Sequence, residues 1–217
     1  MTDKIEHYGW LVSPYSAKTR SYLKYKQIPF NDIEPNIFHF YTKIQKAVGR
    51  IIMPTVKLPD GTWLQDSSHI IDEMEQQHPK RSITPDGTVQ KLVSLLFELY
   101  ADEWLPMAAL HYRWNIQANT QFALKEFSRC ALPFVPSALG KYAIKSMADK
   151  MRGYLPVLGV TESTQPGVEK MVTTLLRDLN THLENHPFLL GSCPSLGDFA
   201  LFGPLWAHLY RDPGSTF

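Results

Sequence analysis

The stretch Ser13-Pro14-Tyr15-Ser16 brings hydroxyl side chains to a position where they can act on an anion. A short apolar segment, 5–12, precedes it with the pattern of a strand, and a helical pattern follows it to about residue 27. Ser13 therefore lies where a strand hands over to a helix, and both the free backbone N–H groups and the helix dipole favour negative charge there. We expect Ser13 to donate a hydrogen bond to an anion, and simple helix capping is the alternative role.

Three other hydroxyl groups compete for this role: those of Tyr8, Tyr15 and Ser16. Tyr8 lies in the first predicted strand, where a tyrosine is more often part of the core. Ser16 follows Ser13 at the spacing of a dithiol motif. Because both positions are serine, the sequence excludes disulfide exchange through the protein's own thiols at this position.

The composition excludes several broad classes. The 217 residues are 44% hydrophobic and carry a net charge of +1, so no strongly basic face predicts binding to nucleic acid or to a membrane surface. No spacing typical of metal ligands occurs, and we expect Cys130 and Cys193 to be small buried hydrophobes. No apolar run reaches the length of a membrane span, and no secretory leader is recognisable, so we expect a cytoplasmic protein without a metal.

The first eighty residues predict a small α/β domain. Strand-like and helix-like segments alternate in the order βαβα and then ββα, where Pro59-Asp60-Gly61 is the turn of a hairpin. The predicted strands are 5–10, 30–35, 53–58 and 62–65, and the predicted helices are 15–27, 36–48 and 66–78. In the second helix we place Ile37, Phe40, Tyr41 and Ile44 together on one apolar side.

The rest of the chain predicts helices alone. Residues 80–87 have the composition of a linker, so we place one domain at 1–79 and an all-helical domain at 88–217. Ser195-Leu196-Gly197-Asp198 has the spacing of a capping box, and the helix that it opens is apolar nearly all round, so we expect it to be buried. Apolar residues at helical spacing form an amphipathic stripe after the linker, at Val89, Leu92, Val93, Leu96, Phe97, Tyr100 and Trp104.

In this order, the motifs resemble the glutathione transferase superfamily over nearly the whole chain. The resemblance rests on Ser13-Pro14-Tyr15-Ser16, Met53-Pro54, Asp66-Ser67 and the cap from Ser195 to Asp198. It implies a thioredoxin-like N-terminal domain with a mixed four-stranded sheet, followed by an all-α domain. It also implies a cis peptide bond before Pro54, glutathione as the co-substrate, and a homodimer formed by the hairpin and third helix against the partner's second domain.

The resemblance assigns roles to these residues. Ser13 would stabilise the glutathione thiolate, while Met53, Pro54, Asp66 and Ser67 would hold the peptide. A small hydrophobic electrophile would bind between the domains, and the candidate residues for that pocket are Trp10, Tyr15, Trp104, His111, Tyr112 and Trp114.

Elementary energetics agree with a single hydroxyl as the activating group. Lowering a thiol pKa from ~8.5 to near 7 requires about 2 kcal/mol. A charge-assisted hydrogen bond supplies ~1.5–3 kcal/mol, and a helix N-terminus adds ~0.3–1 kcal/mol. No general base is therefore required.

Three functions remain open at this point. The first is a glutathione transferase, the second is a glutathione-dependent lyase, isomerase or peroxidase, and the third is a non-catalytic binding or scaffold protein on the same fold. The family usually continues with further helices after the buried one. Either a C-terminal part is missing from these 217 residues, or the second domain is short.

Overall fold

The computed structural model describes residues 4–215 and contains one mixed four-stranded sheet within them. The sheet order is β2-β1-β3-β4, in which β1 and β2 are parallel and the other neighbouring strands are antiparallel. The strands are β1 (Ile5–Tyr8), β2 (Phe30–Ile33), β3 (Thr55–Lys57) and β4 (Trp63–Gln65). The predicted mixed sheet is thus confirmed, with shorter strands than the sequence suggests.

Helices cover both faces of this sheet. One face packs on α1 and α4 through a core that includes Leu23, Val56 and Ile70. The opposite face packs on α2 and α3, which a π-helical segment, Phe40–Ile44, joins. These helices are α1 (Pro14–Tyr25), α2 (Ile37–His39), α3 (Gln45–Val48) and α4 (Ser67–Gln77).

The rest of the described chain contains helices and loops but no further strand, as the fold class predicts. These helices are α5 (Thr88–Leu99), α6 (Leu105–Asn115), α7 (Gln117–Ala131), α8 (Ser137–Arg152), α9 (Gln165–Leu183) and α10 (Leu196–Pro204). Two more π-helical segments, Tyr100–Trp104 and Leu205–Tyr210, follow α5 and α10. The protein therefore has a thioredoxin-like N-terminal part and an all-α C-terminal part.

The domain boundaries stay a prediction, since one hydrophobic cluster joins both parts. Trp10 and Phe40 of the N-terminal part pack in the same cluster as Phe127 of α7. Residues 1–3 and 216–217, which the predicted domains include, lie outside the described residues.

The capping box at the start of α10 is confirmed. The Ser195 amide and hydroxyl both donate to Asp198 Oδ2, at 2.7 and 2.8 Å. Asp198 Oδ1 accepts the Leu189 amide, so the carboxylate has no free oxygen. The α10 backbone lies so close to α5 that a Cβ at Gly197 would come within 2.7 Å of Phe97 Cβ. This helix is buried, as predicted.

Three expectations about burial are wrong. Tyr41 is exposed, because the π-helical segment Phe40–Ile44 changes the angular step between residues and turns this side chain outward. Cys193 is exposed, because it lies in the loop before α10. Four of the seven residues in the amphipathic stripe after the linker, Val89, Leu92, Leu96 and Trp104, are also exposed, because α10 covers only one side of α5.

A buried ion pair joins the C-terminal segment to the start of α1. Arg113 in α6 donates to both carboxylate oxygens of Asp212, at 2.9 and 3.0 Å, and the side chains are 3% and 0% exposed. The same guanidinium donates to the carbonyl oxygens of Val12 and Ala207, each at 2.7 Å. Four hydrogen bonds thus hold α6, the C-terminal turn and the residue before Ser13 together.

We predict that Arg113→Met destabilises the protein by about 3–5 kcal/mol, because the substitution leaves the Asp212 carboxylate buried without its partner. Urea denaturation with extrapolation to water measures the loss. The matched control is Arg177→Met, whose partner Asp178 is adjacent in α9, with both side chains more than half exposed. The Arg177→Met variant should lower the free energy of unfolding by at most ~1 kcal/mol. Equal losses in the two variants would contradict the prediction.

Candidate functional site

Ser13 is the N-cap of α1 and is half-buried. Its backbone is extended, and its Oγ accepts the Ser16 amide at 3.3 Å. Within the described residues, no hydrogen bond uses the hydroxyl proton of Ser13. The oxygen therefore caps the helix while the proton stays available to an acceptor outside the chain.

The other three candidate hydroxyls differ from Ser13. The Tyr8 hydroxyl donates to Glu6 Oε2 at 2.6 Å, and burial together with that carboxylate raises its pKa. The Tyr15 hydroxyl donates to the Asp102 carbonyl at 3.0 Å, and burial raises its pKa to about 12. Ser16 is fully buried against Gly9. Of the four, Ser13 alone combines access with an uncommitted proton among the residues described.

Strand register places the start of β3 and the end of β4 beside the Ser13 loop. Tyr8 at the end of β1 pairs with Thr55, and Thr55 pairs with Gln65. Residues 9–13, 53–54 and 66–67 therefore lie at one edge of the sheet. The structure brings the predicted thiolate and peptide residues together in this way.

The peptide bond between Met53 and Pro54 is cis, which confirms the prediction. Pro54 is buried, whereas Met53 is half-buried. In the described part of the chain, no hydrogen bond uses the Met53 amide or carbonyl. Both groups are free to pair with an extended peptide.

Asp66 and Ser67 form the N-terminus of α4. The Asp66 carboxylate accepts the amides of Ser68 and His69, at 2.9 and 3.4 Å. Its backbone has φ = 74° and ψ = 127°, a conformation that residues with a Cβ rarely adopt. Such a conformation costs of the order of 1–3 kcal/mol and concentrates at functional sites. Asp66 is exposed and Ser67 is buried beside it.

A buried lysine under this helix end is a residue that the sequence analysis missed. Lys18 Nζ donates to Glu98 at 2.7 Å, to Asp102 at 2.6 Å and to Ser68 Oγ at 3.1 Å, and Ser68 donates to Glu98 in turn. Burial raises the pKa of Asp102 although Lys18 opposes this. Lys18 precedes the inward Tyr22 by one helical turn, a spacing that would have indicated its burial.

This cluster connects three helices around the edge of the sheet. Lys18 lies on α1, Ser68 on α4 and Glu98 on α5. Helix α10 also packs closely against the start of α1, because a Cβ at Gly203 in α10 would come within 2.6 Å of the Pro14 carbonyl oxygen. The Ser13 stretch is therefore held from both parts of the protein.

The candidate residues for an electrophile pocket do not meet in one place. Trp10 is buried and donates to the Pro35 carbonyl at 2.7 Å. Tyr112 and Trp114 belong to the same buried cluster, and His111 is buried against Glu169 at 2.9 Å. Two candidates remain near the surface: Tyr15, which is half-buried, and Trp104, which is 56% exposed.

Helix α7 packs against the segments that follow β1 and β2. The Phe127 ring lies 5.3 Å from that of Trp10, and Arg129 binds Glu34 in a bidentate pair at 2.7 and 2.8 Å. Arg129 lowers the pKa of Glu34, as expected for a carboxylate that gains a charged partner. No separate helix was predicted for residues 117–131, because the apolar residues of α7 form no long regular stripe.

Residues 8–82 match the family model of the glutathione S-transferase N-terminal domain. No curated protein sequence matches the chain. In the residues that the structure describes, no helix is long and apolar enough to cross a membrane, and no cluster of His, Cys, Asp or Glu has the makings of a metal site.

Solved structures match the fold over nearly the whole chain. Glutathione transferase GSTFuA3 from Phanerochaete chrysosporium is 16% identical with a TM-score of 0.66, and the match covers 98% of this chain and 87% of that one. A glutathione S-transferase from Methylobacterium radiotolerans, in complex with glutathione sulfonate, is 19% identical with a TM-score of 0.52, covering 98% and 86%. The beta-etherase LigF from Sphingobium sp. strain SYK-6 is 18% identical with a TM-score of 0.58, covering 97% and 86%.

The match to the family model concerns the sequence of the N-terminal part, and the matches to solved structures concern the fold of both parts. The family-model match shows that residues 8–82 form a glutathione S-transferase N-terminal domain, and the structural matches show that both parts together have the fold of glutathione transferases.

Proposed function

We propose that this protein is a glutathione transferase, in which Ser13 stabilises the thiolate of bound glutathione for attack on an electrophile. One observation carries the proposal: Ser13 caps α1 through its oxygen and keeps its hydroxyl proton uncommitted at the sheet edge where Met53 and Asp66 also lie. A thiolate accepts that proton and also lies against the positive end of the α1 dipole.

The peptide part of glutathione has complementary partners at the same edge. The Met53 amide and carbonyl pair with its cysteinyl backbone, and the N-terminus of α4 at Ser67 holds its γ-glutamyl carboxylate. The carboxylates of Asp66, Glu98 and Asp102 outnumber the single charge of Lys18, so the local field favours an α-ammonium group. The bound glutathione sulfonate in the Methylobacterium radiotolerans structure supports glutathione as the ligand class.

The electrophile pocket narrows to Tyr15 and Trp104 in this proposal. The Tyr15 hydroxyl binds the carbonyl of Asp102, which belongs to the same π-helical segment as Trp104. The Tyr15 side chain therefore reaches the segment after α5 that also carries Trp104. We assign a small hydrophobic electrophile to a site beside these two aromatic side chains.

A glutathione-dependent lyase is the second candidate, because the beta-etherase LigF shares the fold. It would use the same thiolate to cleave a bond of its substrate. Turnover of aryl ethers without turnover of aryl halides would favour it over the transferase.

The Ser13→Ala variant tests the thiolate role. The variant loses one charge-assisted hydrogen bond, so kcat/KM with an aryl halide should fall roughly 10–100-fold and the pKa of bound glutathione should rise by about 1–2 units. Ultraviolet absorbance of the thiolate measures that pKa, and Ser13→Thr should restore both readouts.

The matched control for this test is Ser16→Ala. Ser16 Oγ is buried without a partner among the described residues, so its removal should leave the thiol pKa unchanged. Unchanged kinetics in Ser13→Ala would remove Ser13 from the reaction. No calorimetric heat with millimolar glutathione in the wild type would instead favour a non-catalytic scaffold.

The Asp66→Gly variant separates binding from stability. Glycine adopts φ = 74° without strain and costs only a few tenths of a kcal/mol as an N-cap, so the free energy of unfolding should stay equal or rise. Loss of the carboxylate should weaken glutathione binding at least ~10-fold, which calorimetry measures.

Two asparagine variants control for charge in that experiment. Asp66→Asn keeps the shape and loses the charge, whereas Asp60→Asn removes the same charge from the exposed hairpin turn. We expect weaker glutathione binding in the first and wild-type binding in the second. Wild-type affinity in Asp66→Gly and Asp66→Asn would refute the role of Asp66.

We also propose a homodimer in the reducing environment of the cytoplasm. Both cysteines are free, which suits that compartment. One face of α5 leaves five apolar side chains between 46% and 71% exposed: Val89, Leu92, Leu95, Leu96 and Leu99. A contiguous patch of this kind marks an interaction surface. The patch on α5 extends the predicted interface onto the helical part. That interface consists of the hairpin and the third predicted helix of the N-terminal part, which corresponds to α4.

Replacing Leu92 and Leu96 by glutamate should convert the dimer to a monomer, because charged side chains are costly at the centre of an apolar interface. Light scattering at micromolar concentration should give twice the chain mass of 24.8 kDa for the wild type and one chain mass for the variant. Val157→Glu, a substitution at another exposed apolar residue, should remain dimeric. A monomeric wild type would contradict the proposal.

A further inference from the structure

A cleft of about 490 Å³ lies on the sheet face that α2 and α3 cover. A volume of this size lies in the range of sites for small molecules. The cleft is lined by Glu6, Tyr8, Lys43, Lys46, Ala47, Lys57 and Trp63. We call it the lysine cleft.

The lysine cleft extends away from the Ser13 edge, and Tyr8 is the lining residue nearest to that edge. Glu6, Lys57 and Trp63 face one another across β1, β3 and β4. They lie two residues further along the strands than Tyr8, Thr55 and Gln65, a step of about 6.6 Å. A ligand there would leave the sheet edge at Met53 and Asp66 open.

The charge of the cleft is positive. Three of its residues are lysines, and none of them forms an ion pair in the described part of the chain. The single carboxylate, Glu6, already accepts the Tyr8 hydroxyl at 2.6 Å. Three ammonium groups around one small cleft repel each other unless an anion lies between them.

An aromatic wall borders these charges. The Tyr8 and Trp63 rings are stacked, with centroids 5.3 Å apart and an interplanar angle of 24°. Lys43 Nζ lies 6.0 Å from the centroid of the Tyr8 ring. Trp63 is half-buried, so part of its ring stays accessible to a second planar group.

We propose that the lysine cleft binds a planar aromatic ring joined to a group with two or more negative charges, as in a nucleoside diphosphate. The ring lies against Trp63, and the charged group is held by Lys43, Lys46 and Lys57. This ligand is distinct from glutathione and occupies its site whether or not the Ser13 edge is filled.

Calorimetry with ADP on the full chain tests the proposal. ADP should bind at low salt, and its affinity should fall as salt rises, because the contacts are ionic. Pyrophosphate should bind more weakly and adenosine more weakly still. Saturating glutathione should leave the ADP affinity unchanged, which also separates this test from the glutathione proposal.

Variants locate the binding. Lys46→Gln with Lys57→Gln should weaken ADP binding at least ~10-fold, since two ionic hydrogen bonds are lost. Trp63→Leu should weaken ADP binding roughly tenfold and leave pyrophosphate binding unchanged, because only the stacking is lost. The matched control, Lys125→Gln with Lys145→Gln, removes equal charge from exposed positions on α7 and α8 and should bind as the wild type does.

Three results would overturn the proposal. The first is the absence of ADP binding at low salt. The second is equal weakening in the control pair, which would reveal only a general effect of charge. The third is competition between ADP and glutathione, which would place ADP at the Ser13 edge.

Discussion

The buried pair between Arg113 and Asp212 is the constraint on which the rest of the structure depends. Two opposite charges without access to water are tolerable only when hydrogen bonds compensate for lost hydration, and the Val12 and Ala207 carbonyls accept two further N–H groups of the Arg113 guanidinium. Because Val12 directly precedes the stretch that begins with Ser13, the helical part holds the loop from which the candidate thiolate ligand projects. The position of Ser13 is therefore a property of both parts of the protein.

Helix N-termini serve two purposes in this chain, and their surroundings decide which. At α10 the serine and the aspartate of the capping box satisfy each other and the Leu189 amide, inside the core. At α1 the serine accepts one amide and keeps its proton, at a half-buried edge. The physics of the two caps is the same. A cap becomes a candidate site only where solvent or a ligand can reach the remaining hydrogen-bonding group.

Secondary-structure elements with a regular pattern of apolar residues were predicted correctly from the sequence, and features that interrupt this pattern were not. The succession of strands and helices along the chain and the capping box of α10 were predicted from neighbouring residues, whereas the cis bond before Pro54 was predicted from the family resemblance. The π-helical segments at 40–44 and 100–104 shift the phase of the apolar pattern, so Tyr41 and Trp104 lie outside. The helix α7 was missed, and with it the packing of Phe127 that makes Trp10 a core residue.

The sequence by itself determined the succession of strands and helices along the chain and the helix caps, since these follow from local backbone preferences and side-chain spacing. Only the tertiary structure decided which of the four hydroxyls combines access with a free proton, because Ser16 is buried and Tyr15 is engaged by a carbonyl 87 residues away. It likewise decided that Lys18 is buried against Glu98, 80 residues later, and that one side of α5 stays uncovered. Contacts between residues so far apart depend on how helices pack, which no local pattern in one sequence specifies.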